Sequence, residues 1–129
     1  MPNVYELTLG YNNIVSGNPL IFPNVDTCMA FVAYDGATLI GVHFTQLDQS
    51  TGRLNGAWGR VQAISPGPHH VYAAGPGWNA NLLVNLVPPP ASFNIWITPA
   101  GSDIQATLAG VNVTLHRRPH VGGGPWIPI

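Results

Sequence analysis

The chain has 129 residues, of which only 7% are charged, with a formal net charge of −1, 13 prolines and 15 glycines. That length suits one domain with a single sizeable core, and the composition favours short strands and turns over long charged helices. Four scattered arginines (Arg53, Arg60, Arg117, Arg118) give no phosphate-tracking patch, which argues against nucleic acid, and no run of about 18 apolar residues marks a membrane span.

In chain order, residues 3 to 9, "NVYELTL", alternate as a first strand should, and the Asn-, Gly- and Pro-rich stretch from 10 to 26 reads as a long loop. Residues 28 to 34 and 38 to 45 are apolar on both faces, as befits two central strands of a buried sheet, and Asp35-Gly36 between them signals a hairpin turn. After a polar turn at 46 to 56, strands are expected at 57 to 64 and 69 to 74, with a strand or a short helix at 79 to 87. Residues 92 to 98 alternate as a strand; Ser102 followed by Gln105 resembles a capping box that would open a short helix to about Ala109. Residues 111 to 117 read as a last strand, and 118 to 129 as an irregular tail docked through Trp126 and Ile127.

A two-residue turn at Asp35-Gly36 places Tyr34 opposite Ala37, Val32 opposite Leu39, Ala30 opposite Gly41 and Cys28 opposite His43. The only cysteine thus meets a histidine on one face, and a neighbouring imidazole that takes the thiol proton is expected to lower the thiol pKa. Ala30 and Gly41 on the same face leave room for a substrate, or serve close sheet packing. Asp26 and Thr27, just before the cysteine, are candidate donors or orienting groups, and equally ordinary turn residues.

The stretch "CMAFVAYDGATLIGVHF", with its cysteine, "YD" turn and "HF" strand, resembles the signature of the chemotaxis-receptor glutamine deamidases (CheD). It is also similar in layout to the catalytic domains of cytotoxic necrotizing factor and related bacterial toxins. The resemblance covers about residues 20 to 47. It implies a mainly β fold, a two-layer β-sandwich with short flanking helices, in which Cys28 is nucleophile and His43 base. The implied reaction converts a target-protein glutamine to glutamate through a thioester, with no cofactor or metal; resolution by an amine instead of water would give transglutamination.

Two departures stand out. The chemotaxis enzymes place a threonine about six residues before the cysteine to orient the histidine, where this chain has Phe22. The toxin branch uses a main-chain carbonyl, so one near residues 11 to 23, that of Phe22 included, is the expected substitute; that branch also tends to show "SGC", where this chain has "DTC" at Asp26, Thr27 and Cys28. The start of the chain shows no Sec-type leader, and lysine, the usual ubiquitin acceptor, is absent. A single-domain monomeric effector made in a bacterial cytoplasm and delivered to a host cytosol is the expectation.

Two other constellations compete. His69, His70, His116 and His120 supply zinc-type ligands, but a spacing of four on a strand and turn does not align them, and no metal is expected. Trp58, Trp78, Trp96 and Trp126 would suit a non-enzymatic carbohydrate- or protein-binding sandwich, with Trp78 in "GPGWNA" as the exposed candidate.

Overall fold

In a computed structural model, residues 2–6, 13–77 and 80–129 are described. Two β-sheets pack as a sandwich. The first has the order β1 (Val15–Ser16), β4 (Leu39–Phe44), β3 (Met29–Tyr34), β5 (His70–Gly75), β6 (Ser92–Ile97); the second has β2 (Leu20–Val25), β7 (Ser102–Ala109), β8 (Asn112–Pro119), β9 (Ile127–Pro128). One helix, α1 (Thr51–Ile64), covers the outer face of the first sheet.

Strands β3 and β4 are buried along their whole length because both faces are covered. Their outer face, with Phe31, Ala33, Ile40, Val42 and Phe44, packs on Leu54, Ala57, Trp58 and Val61 of α1. Their inner face, with Cys28 just before it, Ala30, Val32, Tyr34 and Leu39, packs on Leu20, Phe22, Ile104 and Ala106 of the second sheet.

Several sequence expectations are corrected. Residues 57 to 64 form the last half of α1, not a strand: Leu54, Ala57, Trp58 and Val61 repeat at i, i+3, i+4 and i+7, and the Ser50 hydroxyl accepts from the Arg53 N–H at the N-cap. Buried Asp48 fixes the approach by accepting from the Thr45 N–H and pairing with Arg53 at 2.7 Å. The expected helix at 102 to 109 is strand β7. The Ser102 hydroxyl donates to the Pro99 carbonyl instead of capping a helix, and the chain enters through Gly101 at φ +74°.

The loop expected from 10 to 26 contains β2, which pairs with β7 and is bulged between Phe22 and Val25, where Asn24 takes a positive φ. Of the first expected strand, residues 3 to 6 make two isolated bridges, Asn3 to Ile21 and Glu6 to His43; residues 7 to 9 lie outside the described residues. Residues 80–85 form a 3-10 helix. The tail is ordered into the sheet: β8 runs to Pro119, β9 pairs with it, and Arg118 lies 4.3 Å over the Trp126 ring. No helix among the described residues is long and apolar enough to cross a membrane.

Candidate functional site

The β3–β4 hairpin is offset by two residues from the sequence expectation. Met29 faces Phe44, Ala30 faces His43, Val32 faces Gly41 and Tyr34 faces Leu39. The turn is centred one residue later than expected, on Gly36-Ala37: the Asp35 N–H donates to the Thr38 carbonyl at 3.4 Å, and Asp35 Oδ1 accepts from both Ala37 N–H (2.9 Å) and Thr38 N–H (2.7 Å). An even offset preserves the faces of a sheet, so Cys28 and His43 still share the inner face, now as diagonal neighbours.

The Cys28 sulfur, a ring nitrogen of His43 and a carboxylate oxygen of Glu6 lie within 4.8 Å of one another. The thiol donates to Glu6 Oε1 at 3.4 Å. His43 is 1% exposed; its Nδ1 donates to the main-chain carbonyl of Val4 at 2.9 Å, while the buried Nε2 has no partner among the described residues. The Nδ1 bond to a carbonyl fixes the tautomer with the lone pair on Nε2. The carbonyl that orients the imidazole therefore belongs to Val4, outside the 11 to 23 stretch. Phe22 contributes the side of its ring instead, edge-on to the imidazole with centroids 6.2 Å apart.

The ionisation of this trio runs against the expected activated thiol. Burial first, then the hydrogen bond to Glu6 and its negative charge, push the Cys28 thiol up to about 11. The Thr27 hydroxyl and the Asp26 main chain act on the sulfur in the opposite direction and are outweighed. His43 is held below the ordinary histidine value by burial, against the pull of the Val4 carbonyl and the Glu6 charge. At neutral pH the resting site holds a neutral thiol and a neutral imidazole beside Glu6.

Two pockets adjoin it. One of about 440 Å³ is lined by Tyr5, Glu6, Pro23, Asn24, His43 and His120. His120 is held there by Asp103 at 2.7 Å, a carboxylate that also accepts from the Asn24 N–H and from Arg118. The other, of about 230 Å³, is bounded by Asp26, Thr27, Gln46, Gln49, Pro76 and Gly77. The gap expected beside Gly41 is absent, because a Cβ there would come within 2.9 Å of Leu20 Cδ1 and 3.0 Å of Phe22 and Val4; that glycine serves close sheet packing.

Glu6 and Val4 are the site residues that sequence reasoning missed. A signal existed: in an alternating segment Val4 and Glu6 fall on one face, and a carboxylate sharing a face with a buried valine is conspicuous. Among the competing residues, His69 meets Gln62, His70 meets Ser92 and His120 meets Asp103, and among the described residues neither these nor His116 join a group of three metal-ligating side chains. Trp58 is core, Trp96 stacks on Tyr72, Trp126 lies under Arg118, and Trp78 lies outside the described residues.

Comparison of the chain with protein-family models, with curated proteins and with solved structures finds no match.

Proposed function

We propose that the protein is a thiol-dependent amide hydrolase acting on side-chain carboxamides, a protein glutamine deamidase, with Cys28 as nucleophile and His43 as base. The observation that carries this reading is a buried imidazole beside the only cysteine, tethered through Nδ1 to a main-chain carbonyl, with Nε2 unpartnered among the described residues. The resemblance of residues 20 to 47 to deamidases and the β-sandwich architecture support the same reading.

With a thiol near 11, no thiolate is stored at rest, so the proton leaves as the sulfur attacks. Cys28 Sγ bonds to the carboxamide carbon while Nε2 of His43 takes the S–H proton, and the carboxylate of Glu6 favours the imidazolium that forms. The imidazolium returns the proton to the departing nitrogen, ammonia leaves, and a thioester remains. Water then adds to the thioester carbon, giving its proton to His43; the C–S bond breaks, the thiol is re-protonated, and the product is a glutamate side chain. The Thr27 hydroxyl and the Asp26 main chain, which already act on the sulfur, are the donors proposed to stabilise the oxyanion. An effector delivered to a host cytosol remains the proposed setting.

The test is proteome-wide mapping of glutamine-to-glutamate conversion in eukaryotic cell extract, with ammonia release as a second readout. Conversion at a discrete glutamine with wild type, lost with Cys28→Ser and His43→Ala, is the expected result. Conversion that persists in Cys28→Ser, or none above the buffer control, overturns the proposal.

A further inference from the structure

We propose that Glu6, Cys28 and His43 form a binding site for one borderline-soft divalent cation of the zinc type. The three side chains offer a carboxylate oxygen, a sulfur and a ring nitrogen, the donor set of zinc chemistry, within 4.8 Å of one another. Ligands placed tetrahedrally about 2.0 to 2.3 Å from a zinc ion stand roughly 3.3 to 3.8 Å apart. The Cys28–Glu6 separation of 3.4 Å already falls in that range, and closing the imidazole onto them takes at most about 1 to 1.5 Å.

A second observation points to a ligand independently of the cysteine. His43 is 1% exposed, and its buried Nε2 has no hydrogen-bond partner among the described residues, although an unsatisfied buried polar atom costs about 1–3 kcal/mol. Its Nδ1 donates to the Val4 carbonyl, the arrangement that orients metal-bound histidines and makes the other nitrogen a better donor. A pocket of about 440 Å³ lined in part by Glu6 and His43 gives a cation a route from solvent to two of the three donors.

Binding balances simply. The cation displaces the S–H proton, which leaves to solvent, and the thiolate and carboxylate charges offset the two positive charges. The inhibitory consequence rests on the hydrolase reading: a metal-bound sulfur is no longer free to attack, so the cation would switch the site off reversibly.

The experiment is an anaerobic titration of the full chain with Co²⁺, following the near-ultraviolet thiolate-to-cobalt charge-transfer band, then displacement by Zn²⁺. One cobalt per chain and one proton released per cobalt are expected, with no band in Cys28→Ser. Affinity should fall on the order of a hundredfold in His43→Ala and in Glu6→Gln, about one ligand's share of a structural zinc site, and stay unchanged in His70→Ala. Circular dichroism of each variant establishes that it is folded, and Glu6→Gln, altering an exposed side chain, remains informative if His43→Ala does not fold. No band at saturating cobalt, or a band of equal affinity in Glu6→Gln, overturns the proposal. Neither result touches the hydrolase reading, which is judged by glutamine conversion in metal-free buffer.

Discussion

Replacing Glu6 with glutamine tests the electrostatics of the site directly. The thiol is lifted from 9.0 to about 11, so at pH 8 about one Cys28 in a thousand is ionised, against about a quarter for a free thiol of pKa 8.5. Ionisation alone therefore slows alkylation roughly two hundredfold relative to the unfolded chain. Burial is the largest cause and Glu6 the next, acting both as hydrogen-bond acceptor and as charge. Glu6→Gln removes the charge and keeps a polar group of the same shape, and the rate at pH 8 should rise on the order of tenfold, one pKa unit. The assay is the pseudo-first-order rate of iodoacetamide labelling across pH 6 to 10, read by intact mass, which is unambiguous because Cys28 is the only cysteine. A wild-type inflection well below 8.5, or identical profiles for wild type and Glu6→Gln, would refute the reasoning.

Three further outcomes follow from the same geometry. Urea denaturation should show stability highest near neutral pH. Below about 6.5 it falls as the unfolded chain takes up protons that buried His43 and His69 resist, with a limiting slope of about 1.4 kcal/mol per pH unit for each histidine. On the alkaline side, the raised thiol contributes fully below its unfolded value and is lost as pH climbs through about 11, an arm that Cys28→Ala should abolish; rising stability on acidification to pH 5 would contradict the account. Asp103→Asn weakens the hub joining Asn24, Arg118 and His120, and should cost about 1–3 kcal/mol at pH 7 in chemical denaturation, with little loss at a pH low enough to protonate Asp103. Gly75→Ala would set a Cβ 2.6 Å from the Cys28 carbonyl oxygen; the expected cost is about 1–3 kcal/mol of stability together with altered alkylation of Cys28, and a variant unchanged in both would contradict the packing.

The two central strands were legible because their residues are apolar on both faces, which only a doubly covered sheet accommodates. Their register was not, because it depends on one side chain: Asp35 satisfies two N–H groups of the turn, which is centred on Gly36-Ala37 and not on Asp35-Gly36. The shared face of Cys28 and His43 survived that error because side-chain direction repeats every two residues. Helix α1 escaped notice where Gly52, Gly56 and Gly59 dilute a stripe that Leu54, Ala57, Trp58 and Val61 nevertheless carry. Strand β7 was masked by a local resemblance to a capping box, although Ser102, Ile104 and Ala106 alternate inward. Val4 and Glu6 could not be assigned to Cys28 from local pattern, since single bridges to distant strands bring them there.

The site is an inter-sheet feature rather than a property of the hairpin. Gly41 lets Val4, Leu20 and Phe22 close against β4, so the Val4 carbonyl reaches His43; Gly75 lets β5 come up against the carbonyl of Cys28. Between these two close approaches a neutral thiol and a neutral imidazole sit beside the Glu6 carboxylate. Deprotonating the sulfur there without a compensating positive charge would put two anions 3.4 Å apart, which burial makes more costly than it would be in water. Two events supply that compensation: an imidazolium formed as the sulfur attacks a carboxamide, or a divalent cation bound by all three groups. Both proposals thus draw on one electrostatic requirement, set first by burial and then by Glu6.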